Sequence, residues 1–168
     1  MKLIRFFIFS IGLYVIILSA CSSQKGIPAA FYECGVECMG TGIDGTQLVK
    51  SWGIGYTIAE AVEQAKLNAV RTVLFKGISS GKTGCMLVPL INVSGTEQLH
   101  QTYFDNFFNT GGQYSGFVVL SADQSIDPKD RIKAGKQYKV AVVASVLHSS
   151  LRKELEKNGI VKPLGSGF

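Results

Sequence analysis

Hydrophobic and polar positions recur with different periods along this chain. Residues 6–18 form a nearly continuous apolar run behind Lys2 and Arg5. A membrane span needs about 20 such residues, so a shorter run with a basic flank predicts a secretion signal over residues 1–20. Residues 35–55 contain Gly35, Gly40, Gly42, Gly45, Gly53 and Gly55, a density that predicts turns and exposed backbone. Within that stretch a first strand is expected at 47–56, where Trp52, Ile54 and Tyr56 share one face. The period then becomes helical. Thr57 and Glu60 have the spacing of a capping box, and Ile58, Ala61, Val62, Ala65, Ala69 and Val73 lie on one stripe until Gly77. Alanines on that stripe permit close approach to a sheet.

Beyond a loop at 77–84, residues 85–93 read as a buried strand through Met86, Leu87, Val88, Leu90, Ile91 and Val93, with Pro89 marking an edge or bulge. Ser94-Gly95-Thr96-Glu97 offers a second cap for a helix carrying Leu99, Tyr103, Phe104, Phe107 and Phe108. Strands are expected at 114–121 and 136–147, the second alternating through Tyr138, Val140, Val142, Ala144 and Val146. The polar stretch 123–135 reads as a long hairpin loop. A final helix over 149–158 turns Leu151 and Leu155 inward and stops at Gly159, and an extended tail follows. The order is βαβαββα, which predicts an α+β fold with helices packed on a mostly antiparallel sheet.

Composition changes this picture little. The 168 residues carry 17 Lys and Arg against 12 Asp and Glu. Lys2 and Arg5 belong to the signal, so the other 148 residues have 15 basic and 12 acidic side chains, net +3. Collagenous, disordered and multi-span membrane chains are excluded by composition.

The end of the signal, Leu18-Ser19-Ala20-Cys21, resembles the lipobox of bacterial lipoproteins. The resemblance implies diacylglycerol on the Cys21 thiol, cleavage before it and acylation of the new amine. Two or three acyl chains on one residue make an anchor that is effectively permanent. The chain is then organised as a signal peptide (1–20), a lipidated cysteine with a glycine-rich flexible segment (21–45) and one α+β domain (46–168). No acidic residue directly follows Cys21, which resembles an outer-membrane address facing the periplasm. Cys34, Cys38 and Cys85 remain, an odd number where disulfides persist. One bridge and one free thiol is the simplest outcome. Cys34 and Cys38 pair only across a turn or helix, and either can pair with Cys85. A zinc site lacks a fourth ligand at a recognisable spacing, His100 and His148 included, so no metal is expected and the covalent lipid takes the place of a cofactor.

Most motifs that carry chemistry fail on context. Gly77-Ile78-Ser79-Ser80-Gly81 matches a nucleophile elbow, with His148 downstream, but an elbow needs a strand before it and a helix after it. Here the order is reversed. Gly81-Lys82-Thr83 imitates a phosphate loop with its first glycine out of register. Asp123, Asp127 and Asp130 lack the spacing of a calcium loop and are expected to solvate the hairpin. The same region concentrates Lys129, Arg131, Lys133, Lys136 and Lys139, which are expected first to solvate the hairpin and otherwise supply positive charge suited to lipid phosphates or an acidic partner. The aromatic helix is expected to serve the core before any pocket. An enzyme is not expected, nor is a nucleic-acid partner.

Residues 51–69, a G-x-G strand leading into a helix with alanines every three or four residues, resemble small envelope lipoproteins and flagellar-accessory N-terminal domains. The strand and helix of residues 135–155 are similar to the other half of that pattern. The resemblance implies a non-enzymatic structural or assembly component at the outer membrane, with an envelope protein or a second copy as partner. Trp52, Tyr56, the 123–139 hairpin and the C-terminal tail are the expected contact surfaces. The alternative is a binding module for a small apolar or glycan ligand, using the aromatic helix.

Overall fold

The glycine-rich stretch forms the strand expected near 47–56 and a second strand, over 36–41, where turns were expected. The computed structural model describes residues 27–42, 45–82, 85, 87–121 and 126–165. Strand β1 (Val36–Thr41) pairs antiparallel with β2 (Gln47–Gly55), with a register shift between Cys38 and Gly40. Residues 36–41 therefore belong to the folded body and not to a flexible lead-in. Their outer edge is covered at Cys38, whose amide donates to the Ser80 carbonyl and whose carbonyl accepts from the Lys82 amide, each at 2.9 Å. Strand β2 runs antiparallel to β5 (Gln137–Val146) along its whole length. The far edge of β5 carries two short strands end to end, β4 (Arg131–Ala134) opposite 137–140 and β3 (Val118–Leu120) opposite 144–146. The fold is α+β with an antiparallel sheet, ordered β1-β2-β5-β3 with β4 beside β5.

Helix α1 (Ile58–Arg71) begins as its sequence requires. The Thr57 hydroxyl accepts from the Glu60 amide at 3.1 Å, and the Glu60 carboxylate reaches back to the Tyr56 amide at 2.9 Å. The helix lies almost backbone to backbone on β2. A Cβ at Gly53 would overlap the Ala61 carbonyl oxygen and the Ala65 amide nitrogen. The Ser51 hydroxyl donates to the Ala65 carbonyl, and the Asn68 side-chain amide donates to the Trp52 carbonyl, both at 2.8 Å. Ala61, Ala65 and Ala69 are fully buried in consequence.

The helix widens into a π-turn (Thr72–Lys76) and stops at Gly77, whose φ of 72° glycine adopts without strain. The buried carbonyls of Val73 and Leu74 accept from the Leu90 and Ile91 amides at 3.1 and 2.9 Å. Those amides are thus withdrawn from any ladder, and Pro89 has none to give. The strand expected at 85–93 does not form. A single bridge joins Ile78 to Leu87, Leu90 and Ile91 are buried, and Val88 and Val93 face solvent. Met86 lies outside the described residues.

The aromatic helix is broken at His100 into α2 (Thr96–Leu99) and α3 (Gln101–Phe107). The cap expected from Ser94 is not made, since Gly95 at φ 84° begins α2 without a side-chain cap. Phe104 and Phe107 are buried, whereas Leu99 is exposed. Residues 113–117 form a 3-10 turn, so the strand expected from 114 starts at Val118. The long hairpin loop also shortens. It contains a 3-10 turn (Pro128–Asp130) and β4, leaving Gly135 and Lys136 as the turn. Charged residues on an edge strand hide it from a periodicity test. Asp123 lies outside the described residues. Helix α4 (His148–Lys157) buries Leu151 and Leu155 and ends at Gly159.

Candidate functional site

Helices α1, α3 and α4 share one face of the sheet, where Val49, Val140, Ala144 and Val146 join Val70, Leu74, Phe107, Leu151 and Leu155 in the buried layer. The opposite face presents Leu48, Lys50, Trp52 and Ile54 from β2 and Lys139, Ala141 and Val143 from β5. Trp52 lies between two ammonium groups, Lys139 Nζ at 5.2 Å and Lys50 Nζ at 5.6 Å from the ring centre. Lys50 also pairs with Asp130 at 2.6 Å.

Lys139 was expected among the solvated cations of the hairpin, and it is buried at 8% exposure. Its position in β5 points it onto the sheet face, where Nζ donates to the Ala30 and Glu33 carbonyls at 3.1 and 2.6 Å. These bonds hold the 3-10 turn Ala29–Tyr32 over the sheet. A lysine alternating with apolar residues was the available sign of that role.

The remaining hairpin cations divide by partner. Lys129 pairs with Asp127 at 2.9 Å, and hydrogen bonds from the Lys129 side chain and amide hold the Asp127 carboxyl below its usual range. Among the described residues, no carboxylate lies within ion-pair distance of Arg131, Lys133 or Lys136, all exposed. Lys133 extends over the Tyr138 ring at 5.1 Å. Tyr56 is exposed beside this end of the sheet, since the preceding Gly55 pairs with Tyr138. Trp52 and Tyr56 therefore serve different surfaces, the sheet face and the sheet end. Tyr32, which composition did not single out, is exposed and donates to Gln137 at 3.3 Å.

Of the cysteine pairings left open by spacing, the fold selects Cys38–Cys85, with Cα atoms 5.8 Å apart. Cys34 is free and half-buried. Burial pushes its thiol up, partly opposed by the charge of Lys139. Cys21 and the rest of residues 1–26 lie outside the described residues.

No protein-family model, curated protein or solved structure matches the chain.

Ser79 is exposed, and no hydrogen bond among the described residues joins it to His148. Its neighbour Ser80 donates to the Val36 carbonyl, and Gly81, at φ 115°, lies against the Cys38 backbone. The G-x-S-x-G segment thus covers the edge of β1. Among the described residues, no three His, Cys, Asp or Glu side chains are grouped to hold a metal ion. Phe75, Tyr103, Phe104, Phe107, Phe108 and Phe117 stack on one another, and burial with the nearby Glu154 charge pushes the Tyr103 phenol up to about 12. The groove beside Phe104 and Phe108 holds 430 Å³ and is rimmed by the Arg71–Glu97 pair, Gln98, Gln101 and Asp105. A wider one of 870 Å³ runs along α1 past Tyr56, Leu67 and Tyr114. There burial and the Glu63 carboxylate push the Tyr114 phenol up.

Proposed function

We propose that this chain is a non-enzymatic lipoprotein of the bacterial envelope, anchored through Cys21 to the outer membrane and facing the periplasm as a structural or assembly component. The observation that carries it is Leu18-Ser19-Ala20-Cys21 at the end of a basic and apolar leader, six residues before the first described residue, Ile27. The body supports it. Ser80 and Gly81 of the elbow-like segment cover an edge strand, and two of the three remaining cysteines form a disulfide. Its partner is an envelope protein or a second copy of the chain.

The test is crosslinking in intact cells, with the mass of the Cys21 peptide read in parallel. An acylated Cys21 and stoichiometric recovery of envelope proteins, lost in Cys21→Ala, are expected. An unmodified Cys21 overturns the anchor. Recovery of the protein alone, without dimer, overturns the assembly role and favours the second function, a small-ligand module. The groove along α1 favours that alternative, because tyrosines beside Glu60, Glu63 and Gln64 suit a glycan.

A further inference from the structure

The described chain starts beside the β4–β5 turn: the Ile27 side chain lies within van der Waals reach of a Cβ built on Gly135, at 3.6 Å. Cys21 is six residues further back. At no more than about 3.5 Å per residue, that stretch spans at most about 21 Å. A lipid on Cys21 therefore holds this end of the sheet close to the bilayer.

The same end carries Arg131, Lys133 and Lys136, which have no carboxylate partner among the described residues, together with the exposed rings of Tyr32 and Tyr56. Exposed lysine and arginine attract anionic headgroups, and tyrosine favours the membrane–water boundary, where its ring and hydroxyl meet different media. Of the nearby acids among the described residues, Asp127 and Asp130 pair with lysines and Glu60 is bonded to the Tyr56 amide.

We infer that the hairpin end of the sheet lies against the phosphate headgroups of the membrane that holds Cys21, with Arg131, Lys133 and Lys136 on the phosphates and Tyr32 and Tyr56 at headgroup depth. This orientation rests on the lipid anchor proposed above. It turns α4, which begins at the opposite end of β5, away from the bilayer and toward partners.

The test uses the mature protein purified from cells expressing the full chain, with acylation of Cys21 read first by mass. It is reconstituted in phosphatidylcholine vesicles with or without about 30% phosphatidylglycerol, and acetylation rates are read at Lys133 and Lys136 and, as references, at Lys153 and Lys157 of α4. Phosphatidylglycerol is expected to slow Lys133 and Lys136 by about threefold or more at about 0.1 M salt, an effect lost near 0.5 M, while the references do not change. Amide exchange at 134–138 is expected to slow in the same vesicles, and in Arg131→Gln/Lys133→Gln/Lys136→Gln not to. Equal rates in both vesicles, or equal slowing at all four lysines, with Cys21 acylated, overturn the orientation and leave the anchor standing. A Cys21 without lipid overturns both.

Discussion

Strand β2 presents Gln47, Val49, Ser51 and Gly53 to the helices and Leu48, Lys50, Trp52 and Ile54 to the other side of the sheet. The buried set is the smaller and the more polar. It is buried because α1 approaches until its backbone meets that of Gly53, a distance that larger side chains forbid. The larger residues lie on the face that only the N-terminal turn and lysine stems partly cover. Ranking faces by side-chain hydrophobicity selects the wrong one here, and the alanines of the following helix select the right one. The comparison teaches that close approach can outweigh apolar bulk in choosing the face to cover.

The covered layer also holds the disulfide, which ties β1 to the irregular segment after the helix. Replacing Cys38 and Cys85 with alanine opens a crosslink across 47 residues and is expected to cost about 4 kcal/mol in denaturant unfolding. Equal stability of the oxidised and doubly substituted proteins would count against it. Gly53→Val drives a side chain into helix backbone and is expected to cost about 3 kcal/mol. Measured beside it, Ile54→Ala should cost less, and the reverse ranking breaks the distinction between the faces. Ser51→Ala removes one buried hydroxyl bond to the helix, for a loss of about 1 kcal/mol. On the other face, Lys50→Gln should cost about 1 kcal/mol, with a loss that high salt changes little, because both side chains of the Lys50–Asp130 pair are largely buried.

The smallest expected effect is one of pH. Burial and the Arg152 charge hold the His148 imidazole below its ordinary 6.5. The unfolded chain therefore binds this proton more readily, so the stability associated with neutral His148 is present above pH 6.5 and is lost as pH falls toward the folded value. His148→Gln should flatten the pH dependence of the unfolding midpoint between neutral and mildly acid conditions. An unchanged slope assigns that dependence to other groups.

Short-range chemistry made some elements readable. Thr57 and Glu60 start α1, Gly77 stops it, Leu151 and Leu155 mark the inner face of α4, and β5 alternates as a strand with one buried face should. The cations of the candidate surface were equally plain. Harder were the elements whose bonding partners lie far off in sequence. β1 sits among glycines and is a strand because β2 and the Ser80–Lys82 loop pair with it. Residues 85–93 have a strand's composition, yet their amides serve the end of α1.

Capping, turn geometry and side-chain period act within a few residues, so the chain specified its helices, its longest strand and its α+β class from local pattern alone. Which cysteines pair, which lysine is buried and where the N-terminal turn sits on the sheet depend on contacts between segments 47 to 109 residues apart. No local preference encodes such contacts. They follow from the sheet, which brings Ala30, Trp52 and Lys139 onto one face and leaves Lys133 and Lys136 exposed at one end, without a carboxylate partner among the described residues.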